Sequence, residues 1–399
     1  MPVARSVGPL YAAAGIRSFV TGLTGVLLGL YLGQAGLGAV DLGMVVGAGL
    51  GGLAGGTAVV AWWGDRLGRR RVLVVSTLLG AAGLAGVALL EAVPLLAMAA
   101  FAGMVNGMGR DRGPAQTLEQ SVLADAVSLD GRITAFTRYA LAQDVAGALG
   151  SLAAAVPSLL QAAGGLGPLV AYRWTLLGAA AISLVPAMLY SRVAPATPGA
   201  VSAGPSSPGS RRRIAGLAGL FALDSVGGGF LAGSILTYWF FRRFGVGGEV
   251  LGPVFFAARG LNALSYVGAA WLARRIGLIR TMVFTHLPSS ILLLALPLVP
   301  GAPWAIALFL AREALVQMDV PTRQSYVASV VPPNQRTFAL GVTGVVRNVG
   351  WAVGPAAAGF AMGGFGIGAP LVLGAGLKIV YDLVLFASFR GVRPPGEAT

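Results

Sequence analysis

The stretch Gly64-Asp65-Arg66-Leu67-Gly68-Arg69-Arg70-Arg71 is a short basic hinge wedged between two long apolar runs. A weaker copy lies 209 positions further on, where Trp62, Arg66, Gly68 and Arg71 fall on Trp271, Arg275, Gly277 and Arg280. The register persists away from the hinge. Arg17-Ser18, Tyr31 and Pro114 fall on Asp224-Ser225, Tyr238 and Pro321 at a shift of 207, and Arg132, Asp144 and Gly150 on Arg336, Asn348 and Gly354 at 204. The drift falls in loops, which accept insertions. The chain is therefore a tandem of two like-oriented halves.

Its 399 residues are 56% hydrophobic and only 11% charged, where a soluble domain carries about 25% charged residues. Such a chain cannot clothe a water-facing surface. A membrane-spanning helix needs about 20 mostly apolar residues. Twelve such stretches occur, near 8–36, 39–63, 72–92, 94–122, 134–160, 171–191, 214–240, 248–272, 281–300, 302–328, 338–362 and 367–389. The first follows Arg5 but runs past Tyr31, too long for a signal-peptide core, and reads as a span. The expectation is an all-α membrane protein of two six-helix halves, 1–193 and 214–399, joined by the Pro/Gly/Ser-rich linker 194–213.

The net charge of +14 would suggest nucleic acid in a soluble protein. Sorting the arginines by loop gives another cause. Sixteen (Arg5, Arg66, Arg69, Arg70, Arg71, Arg132, Arg192, Arg211, Arg212, Arg213, Arg274, Arg275, Arg280, Arg336, Arg390 and Arg393) share the side of the two termini, against Arg173, Arg242 and Arg243 opposite. Positive residues mark the cytoplasmic side. Both termini are thus expected in the cytoplasm of a multi-pass inner-membrane protein, the lipid bilayer is its partner, and nucleic acid is not. Cysteine is absent and histidine occurs once, which excludes thiolate clusters and multi-histidine metal centres, so neither cofactor nor metal is expected.

The hinge at 64–71 resembles the signature of the major facilitator superfamily, at the same place after span two of twelve and with shorter spacing, Gly64 directly preceding Asp65. The resemblance implies a cytoplasmic latch between the halves, formed by Gly64, Asp65, Arg66, Gly68, Arg69 and Arg70 with Arg275 and Gly277 of the copy. Gly68 permits a tight turn, and Asp65 can pair with nearby arginine or a helix end. Drug exporters of that superfamily carry a Gly-rich, Gly-Pro pattern in span five. Here span five keeps Gly147 and Gly150 without the proline, while span eleven has Gly350, Gly354-Pro355 and Gly359. Close packing through small residues also accounts for these glycines.

Ionisable groups inside spans are costly and usually face the bundle interior. Span one carries Arg17, Thr21, Thr24 and Tyr31 on one stripe, and span seven carries Asp224 and Tyr238 at the matching places. Arg17 and Asp224 are therefore expected as an ion pair, static or alternating. Span four carries Asn106, Arg110, Asp111, Arg112 and Glu119, and span ten Arg312, Glu313, Gln317, Asp319, Arg323 and Tyr326. Pro114 and Pro321 are expected to kink these two spans. The resemblance implies that spans one, four, seven and ten line the central cavity. Proton carriers are sought among Asp111, Asp224, Glu313, Asp319 and Asp144, and substrate-cavity residues among Arg17, Thr21, Tyr31, Arg112, Glu119, Tyr238, Arg312, Gln317 and Arg323. Lys378 and Asp382 in span twelve read as a within-helix pair, and His286 in span nine as a packed residue.

No phosphate-loop pattern occurs, so energy has to come from a gradient. The expected function is secondary active transport of a small solute by a monomer, with protons as coupling ion and export or antiport as a natural direction. A facilitative or sodium-coupled carrier and a transport-inactive receptor or lipid-handling relative are the alternatives. The carboxylates fit ion-pair logic better than paired catalysis, so an enzyme is not expected.

Overall fold

The computed structural model describes residues 4–127, 131–191, 208–320, 322–323, 326 and 336–389. Helices account for the regular structure of the described residues, with no strand among them. The first half contains α1 (Ala4–Gln34), α2 (Ala39–Leu67), α3 (Arg69–Leu89), α4 (Val93–Ala102), α5 (Pro114–Ala126), α6 (Arg132–Leu152), α7 (Val156–Gly164), α8 (Pro168–Ile182) and α9 (Val185–Tyr190). The second contains α10 (Pro208–Gly229), α11 (Gly233–Phe244), α12 (Gly248–Ile276), α13 (Leu278–Ala295), α14 (Ala302–Val316), α15 (Arg336–Phe365) and α16 (Ala369–Phe389). Nine described segments are long and apolar enough to cross a bilayer. Most of the linker 194–213, together with Pro321 and Gln324, lies outside the described residues.

Gly68 ends α2 and starts α3 at φ +85°, and Gly277 does the same between α12 and α13, also at φ +85°. A side chain is strained in that region, so the two glycines of the repeated hinge answer the same backbone demand. Arg66 and Arg70 are exposed, and Arg275 stacks its guanidinium 4.5 Å from the centre of the Trp271 ring. Asp65 belongs to α2, but its side chain is outside the described ones.

Glycine supplies 61 residues, and packing explains much of that number. A Cβ on Gly22 would overlap the carbonyl oxygen of Gly147, and one on Gly150 that of Phe19, so α1 and α6 touch backbone to backbone. Two packing units result. The described residues within Met1–Gly199, Ala232–Phe256 and Pro355–Gly363 form the first, those within Ala200–Leu231, Ala257–Gly354 and Gly364–Thr399 the second. In the first, Gly29 of α1 meets Ser234 of α11, and Gly43 of α2 meets Pro355 and Gly359 of α15. In the second, Ile214, Leu217, Phe221, Met282, Tyr326 and Tyr381 form a shared core.

The fourth span departs from expectation. Instead of one helix kinked at Pro114, α4 stops at Ala102 and α5 begins at Pro114, with residues 103–113 non-helical between them. Pro114 occupies the first turn of α5, where its missing N–H is harmless. The freed backbone groups are satisfied locally. Met108 N–H donates to the Asn106 side-chain oxygen at 2.9 Å, Asn106 Nδ2 donates to the Arg110 carbonyl at 2.7 Å, and Thr24 Oγ1 donates to the Asn106 carbonyl at 3.0 Å. Irregular backbone inside a bilayer is tolerated only where it is buried in protein or lines a cavity.

Candidate functional site

Both conditions hold here. The unwound segment borders a cavity of about 110 Å³, room for several waters, inside the first unit. Arg17, Thr21 and Thr24 of α1 line it, with Asn106, Asp111 and the start of α5. Arg17 anchors its polar wall. Its Nε donates to Asp111 Oδ2 at 2.8 Å, and its two terminal nitrogens grip both Glu119 oxygens at 2.8 and 2.6 Å. Glu119 is fully buried and also accepts from Tyr139 at 2.6 Å and from Tyr190. Gln143 donates to Asp111 at 2.9 Å. Within this hydrogen-bonded set one guanidinium serves two carboxylates.

The second unit holds a larger cluster around Asp224, which is 4% exposed. Arg323 donates to its Oδ2 at 2.8 Å and Lys378 to its Oδ1 at 2.8 Å. Arg323 also contacts Asp319 one helical turn earlier at 2.7 Å, and its guanidinium lies 5.4 Å from the centre of the Phe221 ring. His286 Nδ1 lies 2.9 Å from Asp382 Oδ2, and its Nε2 lies 3.4 Å from Lys378 Nζ. Arg347 stacks over Trp351 and contacts Ser225, the neighbour of Asp224, at 3.4 Å.

Several sequence expectations meet in these clusters: Arg17, Asp111 and Glu119 in one, with Thr21 on the cavity wall beside it, and Asp224, Asp319 and Arg323 in the other. Other residues have different partners. Arg17 and Asp224, expected as a pair, each bond to residues of their own unit. Lys378 and Asp382, expected as a within-helix pair, instead reach Asp224 and His286. Arg312 pairs with its neighbour Glu313, which accepts from Asn262 at 3.0 Å. Tyr31 and Tyr238 are almost fully buried and donate to the backbone carbonyls of Ala88 and Leu37. Arg112 is half-buried, Gln317 caps the end of α14, and Asp144 is exposed on α6. Tyr139 and Tyr190 were not visible as site residues, because aromatic residues on apolar helices read as core. His286 and Lys378 did carry a signal: each is the only residue of its type in the chain, and both sit inside spans.

Comparison with known proteins now defines the class. The family model of the Major Facilitator Superfamily matches residues 10–318, and the chain belongs to that superfamily: it is a multi-pass membrane protein of the transporter fold. A Saccharomyces cerevisiae (strain ATCC 204508 / S288c) protein described as the uncharacterized membrane protein YJR124C is 23% identical, over 97% of this chain and 95% of that protein. Among solved structures, a bacterial homolog of the human lysosomal transporter Spinster, in an inward-facing and occupied conformation, superposes with a TM-score of 0.78 at 14% identity, covering 97% of each chain. The nucleoside transporter NupG gives 0.74 at 13% identity, over 98% of this chain and all of that one. At these identities the likeness is one of fold.

Proposed function

We propose that this chain is a proton-coupled secondary active transporter of a small solute. The observation that carries the reading is the pair of buried ion clusters, one built on Arg17, the other on Asp224. Charges placed inside spans are expensive, and breaking such a pair exposes that expense, so a cluster of this kind responds strongly to a proton. In the first cluster the Arg17 guanidinium bonds to two carboxylates, so a proton on either one loosens its hold. Asp111, on the cavity wall, is the natural acceptor, while in the second cluster Asp224, held by Arg323 and Lys378, is the anion whose partners a proton rearranges.

In this reading the six-helix halves 1–193 and 214–399 rock about a midplane site while the linker 194–213 tethers them, as alternating access requires. The arginine asymmetry supports cytoplasmic termini in an inner membrane, with the hinges at Gly68 and Gly277 on the cytoplasmic face. Each chain carries its own pair of clusters, in keeping with a working monomer. The test is uptake into proteoliposomes of a metabolite panel, nucleosides included, with and without an imposed pH gradient. Gradient-stimulated accumulation of at least one solute is expected. Equal equilibration with and without the gradient would identify a facilitative carrier instead.

A further inference from the structure

The neighbours of His286 form a continuous polar path from α13 through α16 to α10. Its two ring nitrogens face opposite charges. Nδ1 sits 2.9 and 3.0 Å from the two oxygens of Asp382, and Nε2 sits 3.4 Å from Lys378 Nζ. An ammonium has no lone pair, so in this geometry Lys378 donates and Nε2 accepts, while Nδ1–H donates to the Asp382 carboxylate. His286 is therefore drawn as the neutral Nδ1–H tautomer. Its Nε2 also lies 3.9 Å from Asp224 Oδ1, the atom that Lys378 holds at 2.8 Å. Lysine and histidine thus converge on one carboxylate oxygen.

The surrounding charges make the histidine decisive. Asp224, Asp319 and Asp382 face Arg323, Arg347 and Lys378, three acidic side chains matched by three basic ones. Tyr381 stacks edge-on to the imidazole at 6.0 Å. The charged pair of the neighbouring α14, Arg312 and Glu313, is engaged with itself and with Asn262. With acids and bases matched in number, a proton on His286 adds one positive charge to the cluster.

We propose that His286 Nε2 is a proton-binding site that switches the partner of Asp224. A hydronium ion hands a proton to the Nε2 lone pair: its O–H bond breaks, the Nε2–H bond forms and water leaves, while the N–H bonds of Lys378 stay intact. The bond from Lys378 is lost at once, because Nε2 can no longer accept. Two cations then face each other at hydrogen-bond distance, Lys378 is repelled, and the new Nε2–H is placed to take Asp224 Oδ1. Loss of the proton reverses the exchange. The proposal rests on the proton-coupled reading above and extends it by naming a site on spans nine and twelve, outside the four spans expected to line the cavity.

The sole histidine can be observed directly. Full-length protein labelled with 15N-histidine, carrying no histidine tag and held in lipid nanodiscs, gives one imidazole by NMR. The expected wild-type result is the Nδ1–H tautomer at high pH and a single titration to imidazolium as pH falls. The midpoint moves to lower pH in Asp382→Asn, which removes an anion, and to higher pH in Lys378→Gln, which removes a cation, each by about one unit or more. Asp224→Asn moves it to lower pH. An imidazole that does not titrate between pH 5 and 9, a resting Nε2–H tautomer, or a midpoint indifferent to Lys378→Gln overturns the proposal. The wild-type tautomer and titration need no variant to fold. If the imidazole behaves as expected while no solute moves protons, the transport reading fails and the proton site stands. If solute-driven proton flux survives in His286→Gln at the wild-type ratio, the site fails and the transport reading stands.

Discussion

Replacing Arg17 by methionine keeps an unbranched apolar stem as far as the Nε position and removes the guanidinium that Asp111 and Glu119 share. The Glu119 side chain is fully buried and cannot turn to water, and that of Asp111, 7% exposed, meets only the small cavity. Orphaning a buried charge costs about 3–5 kcal/mol. The Arg17 side chain is itself 20% exposed at the cavity, which softens the loss and places the expectation near the lower figure. For a cooperative unit of this size each kcal/mol lowers Tm by about 2–4 °C, so Arg17→Met should melt roughly 6–12 °C early. The seven tryptophans provide the fluorescence readout for melting in detergent. The sign with pH is fixed. The orphaned carboxylates are worst when ionised, so the deficit is full at high pH and shrinks as falling pH protonates them. Arg17→Met/Glu119→Gln should recover much of the loss, because only Asp111 is then left unpaired. A single variant within about 2 °C of wild type at pH 8, or a deficit that does not narrow on acidification, refutes the assignment of Arg17 as the keystone of this cluster.

Further expectations concern packing, the hinge and orientation. Gly150→Val drives a side chain into the Phe19 carbonyl and should destabilise by about 1–3 kcal/mol, read as the same melting shift; an unchanged Tm would mean that α1 and α6 do not touch there. Gly68→Ala must adopt φ near +85° or move the hinge, and a cost of about 1–3 kcal/mol together with slowed transport is expected, with Gly55→Ala, which has open space around it, as the silent control. Because the chain contains no cysteine, single cysteines report orientation cleanly. In intact cells a membrane-impermeant maleimide should label Gly301→Cys and should reach Arg70→Cys only after permeabilisation; the opposite pattern would invert the topology.

The fold was legible because its signals are local and repeated. The hinge at 64–71, its copy around Gly277 and the matched span order all follow from residues close in sequence, and both hinge glycines have the same positive φ. The break in the fourth span was missed because hydropathy averages over a window. Gly103, Gly107, Gly109 and Gly113 with Asn106 were the clue, since a helix loses stability at each of them. The first ion cluster was half legible. Arg17, Asp111 and Glu119 stand out as charges in apolar runs, but their meeting depends on how α1 packs against the unwound segment and α5. The second was misread at its edge for the same reason. Spacing made Lys378 and Asp382 neighbours on one helix face, whereas each finds a stronger partner on another helix, Asp224 on α10 and His286 on α13. Sequence distance does not reveal partners 154 and 96 residues away.

The central claim is that protons act through these buried clusters to drive solute movement. The most direct measurement is proton flux into proteoliposomes with an entrapped pH dye, with each solute of the panel added in turn, for wild type, Asp111→Asn and Asp224→Asn. The account predicts solute-dependent proton movement in the wild type and its loss in Asp224→Asn, with the solute still bound. Proton movement at the wild-type rate in both variants, or none for any solute that the wild type carries, would contradict it.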